Sequence, residues 1–251
     1  MIPKIIHYFW QSDKPMPAKL RACVESWHTY CPDFEFRCWT GDSLGEATPL
    51  WVRQALENKK FAFAADYMRY YALYHFGGIY MDTDVELLKP FGKMLDAPYL
   101  MGHESIGSAI ESGFLAVEKG NPFVKAMLDY YDGRPFVKDD GSLDMRGLPD
   151  TIREIFDKYG FALRDVENPE EITAADPKTF CVLPKDYFSP ISLQTYALQL
   201  TPRTVAIHHF LASWKPRRFR YKKLLQRFLG PKITLTIIHL KDILLNRKPL
   251  Q

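Results

Sequence analysis

The chain is poor in cysteine and lacks any long apolar run. Its 251 residues hold four cysteines, Cys23, Cys31, Cys38 and Cys181, with no CxxC pair and no zinc-ligand spacing. That excludes a disulfide-stapled scaffold and a zinc finger, and fits reduced thiols in a cytoplasmic chain. No segment approaches the ~20 consecutive apolar residues of a membrane-spanning helix. The apolar stretch at 233–240 is short, contains a histidine, and is followed by Lys241 and Asp242. The opening Met1-Ile-Pro-Lys-Ile-Ile-His has neither the apolar core nor the small-residue cleavage site of a secretory leader. No internal repeat, low-complexity tract or GxxxxGK[ST] phosphate loop is present. Disorder is excluded too, because 47% of the residues are apolar and the net charge is only +3.

Charge is present but unevenly placed. Residues 215–251 carry eleven lysines and arginines against Asp242 alone, a charge of +10 that leaves −7 on residues 1–214. Leu224, Leu225, Phe228 and Leu229 follow helical spacing among these cations, and a more apolar stretch follows Gly230-Pro231. The pattern divides the chain into a catalytic body, 1–214, and a basic amphipathic helical tail, 215–251. Such a tail suits an anionic membrane surface, or else packs on the body with a solvated basic face. No nucleic-acid recognition motif accompanies it, so nucleic acid is not an expected partner.

The body reads as alternating strands and helices. Pro3–Trp10 is an apolar, β-rich opening strand; a helical pattern runs from Pro17 to Cys31, and Phe34–Trp39 alternates as a strand. Thr48 is placed to cap a helix reaching Asn58. Phe61–Phe76 is the clearest helix, stopped by Gly77-Gly78, with Ile79–Leu87 following as one strand. Later strands are expected at 99–102, 113–117, 180–183 and 204–210, with helices at 122–131 and 149–159. The alternation predicts an α/β fold with a mostly parallel sheet. The Gly- and Asp-rich segment 132–148 has the length of a lid or binding loop.

The sharpest local feature is Tyr80-Met81-Asp82-Thr83-Asp84-Val85. In a strand, residues two apart share a face, so Asp82 and Asp84 would aim two carboxylates at one point. Two like charges in a low dielectric repel, and a divalent ion with oxygen ligands, Mg²⁺ or Mn²⁺, relieves that. Such an ion could hold a diphosphate and offset its charge as a leaving group. On the preceding helix Asp66 and Arg69, three apart, share a face with Tyr70 and Leu73. They read either as a surface ion pair or as an anchor for ribose and phosphate. The third element is Ile207-His208-His209-Phe210-Leu211-Ala212-Ser213-Trp214. Adjacent histidines in a strand face opposite ways, so only one of His208 and His209 can join the carboxylates.

Together PKIIHYFW, AADYMRYYALYHFGGIYMDTDV and AIHHFLASW resemble the DXD-containing glycosyltransferases of glycosyltransferase family 32. That group shares the sugar-binding region of yeast initiating mannosyltransferases and bacterial capsular-polysaccharide transferases, and is distantly similar to clostridial glucosylating toxins. The resemblance implies a GT-A fold, a Rossmann-like nucleotide-diphospho-sugar transferase layout, and transfer from a UDP- or GDP-linked sugar with retention of configuration. Carried over, it places Trp10 on the nucleobase with His7 and Phe9 nearby, and Asp66 and Arg69 on ribose, sugar or phosphate. Asp82 and Thr83 would lie on the donor side, Asp84 on the metal with His208 or His209, and Ser213 and Trp214 on the β-phosphate. Asp82, Asp84, Arg69 and Trp214 would then form the catalytic set. Where family members often carry an asparagine before the strand at 113–117, this chain has Glu111-Ser112; Glu104, Glu111 and Ser112 are the polar candidates there for donor sugar or acceptor.

The reading that follows is a retaining, metal-dependent glycosyltransferase acting on a saccharide acceptor, lipid-linked, in bacterial surface polysaccharide synthesis. The tail would hold it on the inner face of the cell membrane. A metal-dependent nucleotidyltransferase and a membrane adaptor with a degenerate transferase body are the rivals. Metal-dependent turnover of a nucleotide sugar separates both from the main reading.

Overall fold

The computed structural model describes residues 1–104, 109–193, 195, 197–211, 233 and 236. Its centre is a five-stranded sheet in the order β2-β1-β3-β6-β5. These strands are β1 (Ile5–Phe9), β2 (Glu35–Trp39), β3 (Gly78–Met81), β5 (Tyr99–Leu100) and β6 (Phe114–Val117). Helices α1 (Ala18–Tyr30), α2 (Leu50–Glu57) and α3 (Phe61–Phe76) connect the first three strands. Beyond the sheet come α4 (Pro122–Tyr130) and α5 (Leu148–Tyr159). Two small sheets complete the body: β4 (Val85–Leu87) with β9 (Ala206–His208), and β7 (Ala162–Asp165) with β8 (Thr179–Val182). The mixed α/β layout resembles the GT-A fold.

The sheet is less parallel than expected. β1 pairs parallel with β2 and β3, because a helical crossover returns the chain to the same end of the sheet each time. β6 instead pairs antiparallel with both β3 and β5. The β5–β6 connection carries the antiparallel bridge His103–Ile110, and its described residues include no crossover helix.

Glycine sets the junction between α3 and β3. Gly77 has φ +65° and Gly78 φ +97°, conformations that L side chains rarely adopt. A Cβ at Gly78 would stand 2.6 Å from the Ile5 carbonyl oxygen, so β1 and β3 meet only if that residue has no side chain. All four residues of β3 are buried. Rings fill both sides of the sheet: Phe114 stacks on Phe188 at 3.9 Å, and Phe123 meets Phe156 and Phe180 across α4, α5 and β8. Each such ring contributes about 1.5–3 kcal/mol by leaving water.

Several local expectations are corrected. Ile79–Leu87 is two strands, not one: the chain turns at 82–84 and β4 joins a different sheet. Thr48 does not cap α2; its hydroxyl donates to the Gly45 carbonyl and Pro49 occupies the cap position. The segment 132–148 is no free lid. Phe136 is fully buried, the Phe136 and Val137 N–H groups donate to Gln54, and Asp144 receives Arg134 and Arg146. The boundary between a body at 1–214 and a basic tail at 215–251 lies outside the described residues, as does nearly all of the tail; of it only Ile233 and Thr236 are described, both helical and exposed. Ser213 and Trp214 also lie outside.

Candidate functional site

Three parallel strands end at one edge. β1 runs into Trp10, β2 into Thr40 and β3 into Asp82, and in open α/β sheets the carboxyl ends of strands form the ligand crevice. Asp82 leaves β3 with its N–H donating to the Gly113 carbonyl at 2.8 Å, while its own carbonyl accepts from the Val85 N–H at 2.9 Å. That tight turn carries Thr83 at its tip and brings Asp84 back beside Asp82. The carboxylates converge through this turn, not through strand alternation.

The far side of the turn is anchored by packing. The Trp27 indole N–H donates to the Val85 carbonyl at 2.7 Å, and the Leu87 N–H donates to Ser26. β4 pairs antiparallel with β9, registering Val85 opposite His208. The ladder delivers the imidazole: His208 Nε2 lies 3.5 Å from Asp84 Oδ1. One ligand atom each from Asp82, Asp84 and His208 lies within 4.8 Å of the others. His209 faces the other way and bonds Glu86 at 2.7 Å. Of the two candidate histidines, then, His208 stands with the carboxylates.

Two oxygen-bearing side chains and a nitrogen at this spacing fit a small divalent ion such as Mn²⁺ or Mg²⁺. Burial pushes the Asp84 carboxyl up, but His208 and the Leu211 N–H, 2.7 Å from Oδ2, bring its pKa down to about 2. Burial pulls His208 down, yet Glu111 and Asp84 outweigh it and hold the imidazole well above its ordinary value. Asp84 is therefore kept ionised, and the positive charge beside it is carried by His208 itself; a bound cation would take over that charge with the ring neutral.

Asp66 and Arg69 are not a surface pair. Arg69, its side chain 4% exposed, places Nη2 2.8 Å from Asp82 and Nη1 3.2 Å from Asp66. Its guanidinium lies 4.7 Å over the Tyr80 ring. Both carboxylates raise the Arg69 pKa although burial opposes them. Burial pushes Asp66 up to about 6, with Arg69 pulling against it. Arg69 thus neutralises and orients Asp82; its Nε has no hydrogen-bond partner among the described residues.

Other expected residues divide. Trp10 is half-buried at the crevice edge, next to buried Phe9. His7 is not presented to a ligand: it is fully buried, with Nε2 2.9 Å from the Gly77 carbonyl and Nδ1 accepting from the Trp39 indole. Glu111, expected near sugar, is instead interior: its side chain is 0% exposed and Oε1 lies 2.8 Å from His208 Nδ1. Ser112 and Glu104 are half-buried on the β5–β6 connection. Sequence reasoning missed the Glu111–His208 contact because nothing in a linear pattern joins residues 97 positions apart.

The fold thus brings an acidic turn, a histidine and a buried arginine together at the carboxyl edge of the sheet. Residues 17–105, about a third of the chain, match the family model described as "Glycosyltransferase sugar-binding region containing DXD motif". The chain is 33% identical over 127 residues to inositol phosphoceramide mannosyltransferase 3 of Schizosaccharomyces pombe, covering 49% of this chain and 35% of that one. Mannosyl phosphorylinositol ceramide synthase of Saccharomyces cerevisiae is 27% identical over 144 residues, 55% of this chain and 37% of its own. Lactosylceramide 4-alpha-galactosyltransferase of Rattus norvegicus is 28% identical over 189 residues, 70% of this chain and 50% of its own. The chain spans about a third of the length of the two yeast relatives. PaToxG glycosyltransferase aligns with TM-score 0.44 and 19% identity over 63% of this chain and 69% of that one. The matched region includes Asp66, Arg69, Asp82 and Asp84 and stops before Glu111 and His208.

Proposed function

We propose that this protein is a metal-dependent, retaining glycosyltransferase that moves a sugar from a UDP- or GDP-linked donor to the headgroup of a lipid-linked saccharide acceptor. The observation that carries this is the convergence of Asp82, Asp84 and His208 within 4.8 Å at the carboxyl edge of three parallel strands. Asp84, Asp82 and His208 would hold Mn²⁺ or Mg²⁺, and the ion when bound supplies countercharge to a diphosphate. The chain's own contribution is positioning. Arg69 fixes Asp82 from beneath, the Leu211 N–H fixes Asp84, and Trp10 borders the nucleobase. Ser213 and Trp214 are proposed to face the β-phosphate. The acceptor class follows the relatives, whose names specify inositol phosphoceramide and lactosylceramide, and favours a lipid headgroup over free polysaccharide. A peripheral place on the cytoplasmic face of a membrane goes with that reading. No helix among the described residues is long and apolar enough to cross a membrane.

The test is a screen of UDP- and GDP-sugars for manganese-dependent hydrolysis and for transfer to glycolipid headgroups. Asp84→Asn should lower turnover roughly 10²-fold or more while leaving the folded state intact. Full turnover by a folded Asp84→Asn protein, or none from any donor with the unmodified chain, sinks the proposal.

A further inference from the structure

We infer that Glu111 is a positioning residue for the metal site, holding the His208 ring so that Nε2 faces the two aspartates. The inference rests on the metal reading above and goes beyond it, because Glu111 touches none of the space between Asp82 and Asp84.

Three observations carry it. First, a carboxylate can only accept, so the 2.8 Å contact between Glu111 Oε1 and His208 Nδ1 places a proton on Nδ1. When the ring is neutral, its lone pair is then on Nε2, the nitrogen 3.5 Å from Asp84. A buried carboxylate on the far nitrogen is the arrangement that fixes tautomer and rotation of a ligating histidine and raises its basicity. Second, Glu111 is itself held. Oε1 also accepts the Gly113 N–H at 2.6 Å, the Glu111 N–H donates to the Gly102 carbonyl, and the side chain is wholly buried. The second oxygen, Oε2, has no hydrogen-bond partner among the described residues, so burying this carboxylate is costly unless it serves another group. Third, the backbone leaves room for the ring. A Cβ on Gly113 would stand 2.6 Å from His208 Cε1 and 2.8 Å from Nδ1, and 3.0 Å from Glu111 Oε1. Gly113 therefore permits the contact as well as bonding it, and its carbonyl in turn receives the Asp82 N–H. One short stretch, 111–113, sets both His208 and Asp82.

The experiment measures Mn²⁺ affinity of the purified chain, without donor, by calorimetry and by manganese spin resonance. Glu111→Leu should weaken binding about 10–100-fold, the range expected for removing such a partner. Glu111→Gln keeps an acceptor for Nδ1–H but loses the charge; it should weaken binding roughly tenfold with an unchanged metal-free thermal midpoint. Gly113→Ala should weaken binding by displacing the ring, with every metal ligand still present. Loading ¹⁵N-histidine protein with ¹¹³Cd²⁺ gives a second readout. Coupling should appear at His208 Nε2 in the unmodified chain and in Glu111→Gln, and shift or vanish in Glu111→Leu. Unchanged affinity in Glu111→Gln, or coupling to Nδ1 in the unmodified protein, overturns the inference alone. No manganese binding by the unmodified chain overturns the metal reading and this inference with it.

Discussion

Arg69 balances two carboxylates of the site at once. It is buried between two carboxylates, and removing one member of such a group leaves uncompensated charge that costs about 3–5 kcal/mol. Asp82 is 31% exposed, which moderates the figure. Arg69→Met should therefore cost about 3 kcal/mol, read as a fall in urea midpoint at constant slope. Asp82→Asn, which retains an acceptor oxygen for Arg69, should cost about 1 kcal/mol. Asp82→Ala is a poorer probe of chemistry, because it strips a partner from a buried guanidinium. Nearby, burial lowers the His7 pKa to about 4 from an unfolded value of 6.5. A depressed folded pKa means full stability above pH 6.5 and a loss as pH falls toward 4, when the unfolded chain gains a proton that the folded chain refuses. The loss reaches about 3 kcal/mol at one 1.36 kcal/mol step per unit. Denaturation between pH 7 and 4 should show it, and His7→Asn should flatten that component; an equal slope in both proteins would contradict it.

At the scale of elements, the site depends on where β3 stops. Gly78 lies at φ +97° with Ile5 O where a Cβ would be, so Gly78→Ala should cost well over ~1 kcal/mol and disturb the turn that bears Asp82. Thermal denaturation and Mn²⁺ affinity should fall together; a variant with unchanged affinity would mean the turn is set by β4 alone. Much of this framework was legible. Periodicity located α3, β1, β2 and β6, and the glycine pair marked the stop before β3. Pairing was not legible, because strand direction depends on connections that local pattern does not encode. Hence alternation predicts a mostly parallel sheet where β6 runs antiparallel, and one strand over Ile79–Leu87 where the chain turns at 82–84. β7 escaped altogether: Ala-Leu-Arg-Asp is exposed at all four positions and shows no buried face. Motif spacing found Asp82, Asp84 and the histidine pair. Choosing His208 required the β4–β9 register, and recognising Glu111 required a contact between β9 and the β5–β6 connection.

For the whole molecule, the proposed lipid-linked acceptor raises a question of charge. Residues 1–214 carry −7 and would be repelled by an anionic membrane, whereas residues 215–251 carry +10. Each basic residue near an anionic surface contributes ~1 kcal/mol, and repulsion of body charges is screened over ~8 Å at physiological salt, so engagement of the tail should offset it. Ile233, 53% exposed and helical, is one apolar group available for insertion. Sedimentation with vesicles should show the full chain bound to anionic but not zwitterionic lipid, with binding falling steeply as salt rises. Deleting 216–251 should abolish that binding and lower transfer to vesicle-embedded acceptor, while hydrolysis of soluble donor, which needs only the site at the sheet edge, persists. If the truncated chain partitions as before and glycosylates embedded acceptor at the full rate, the tail is not the membrane contact. The acceptor must then be brought to the sheet edge by the body itself.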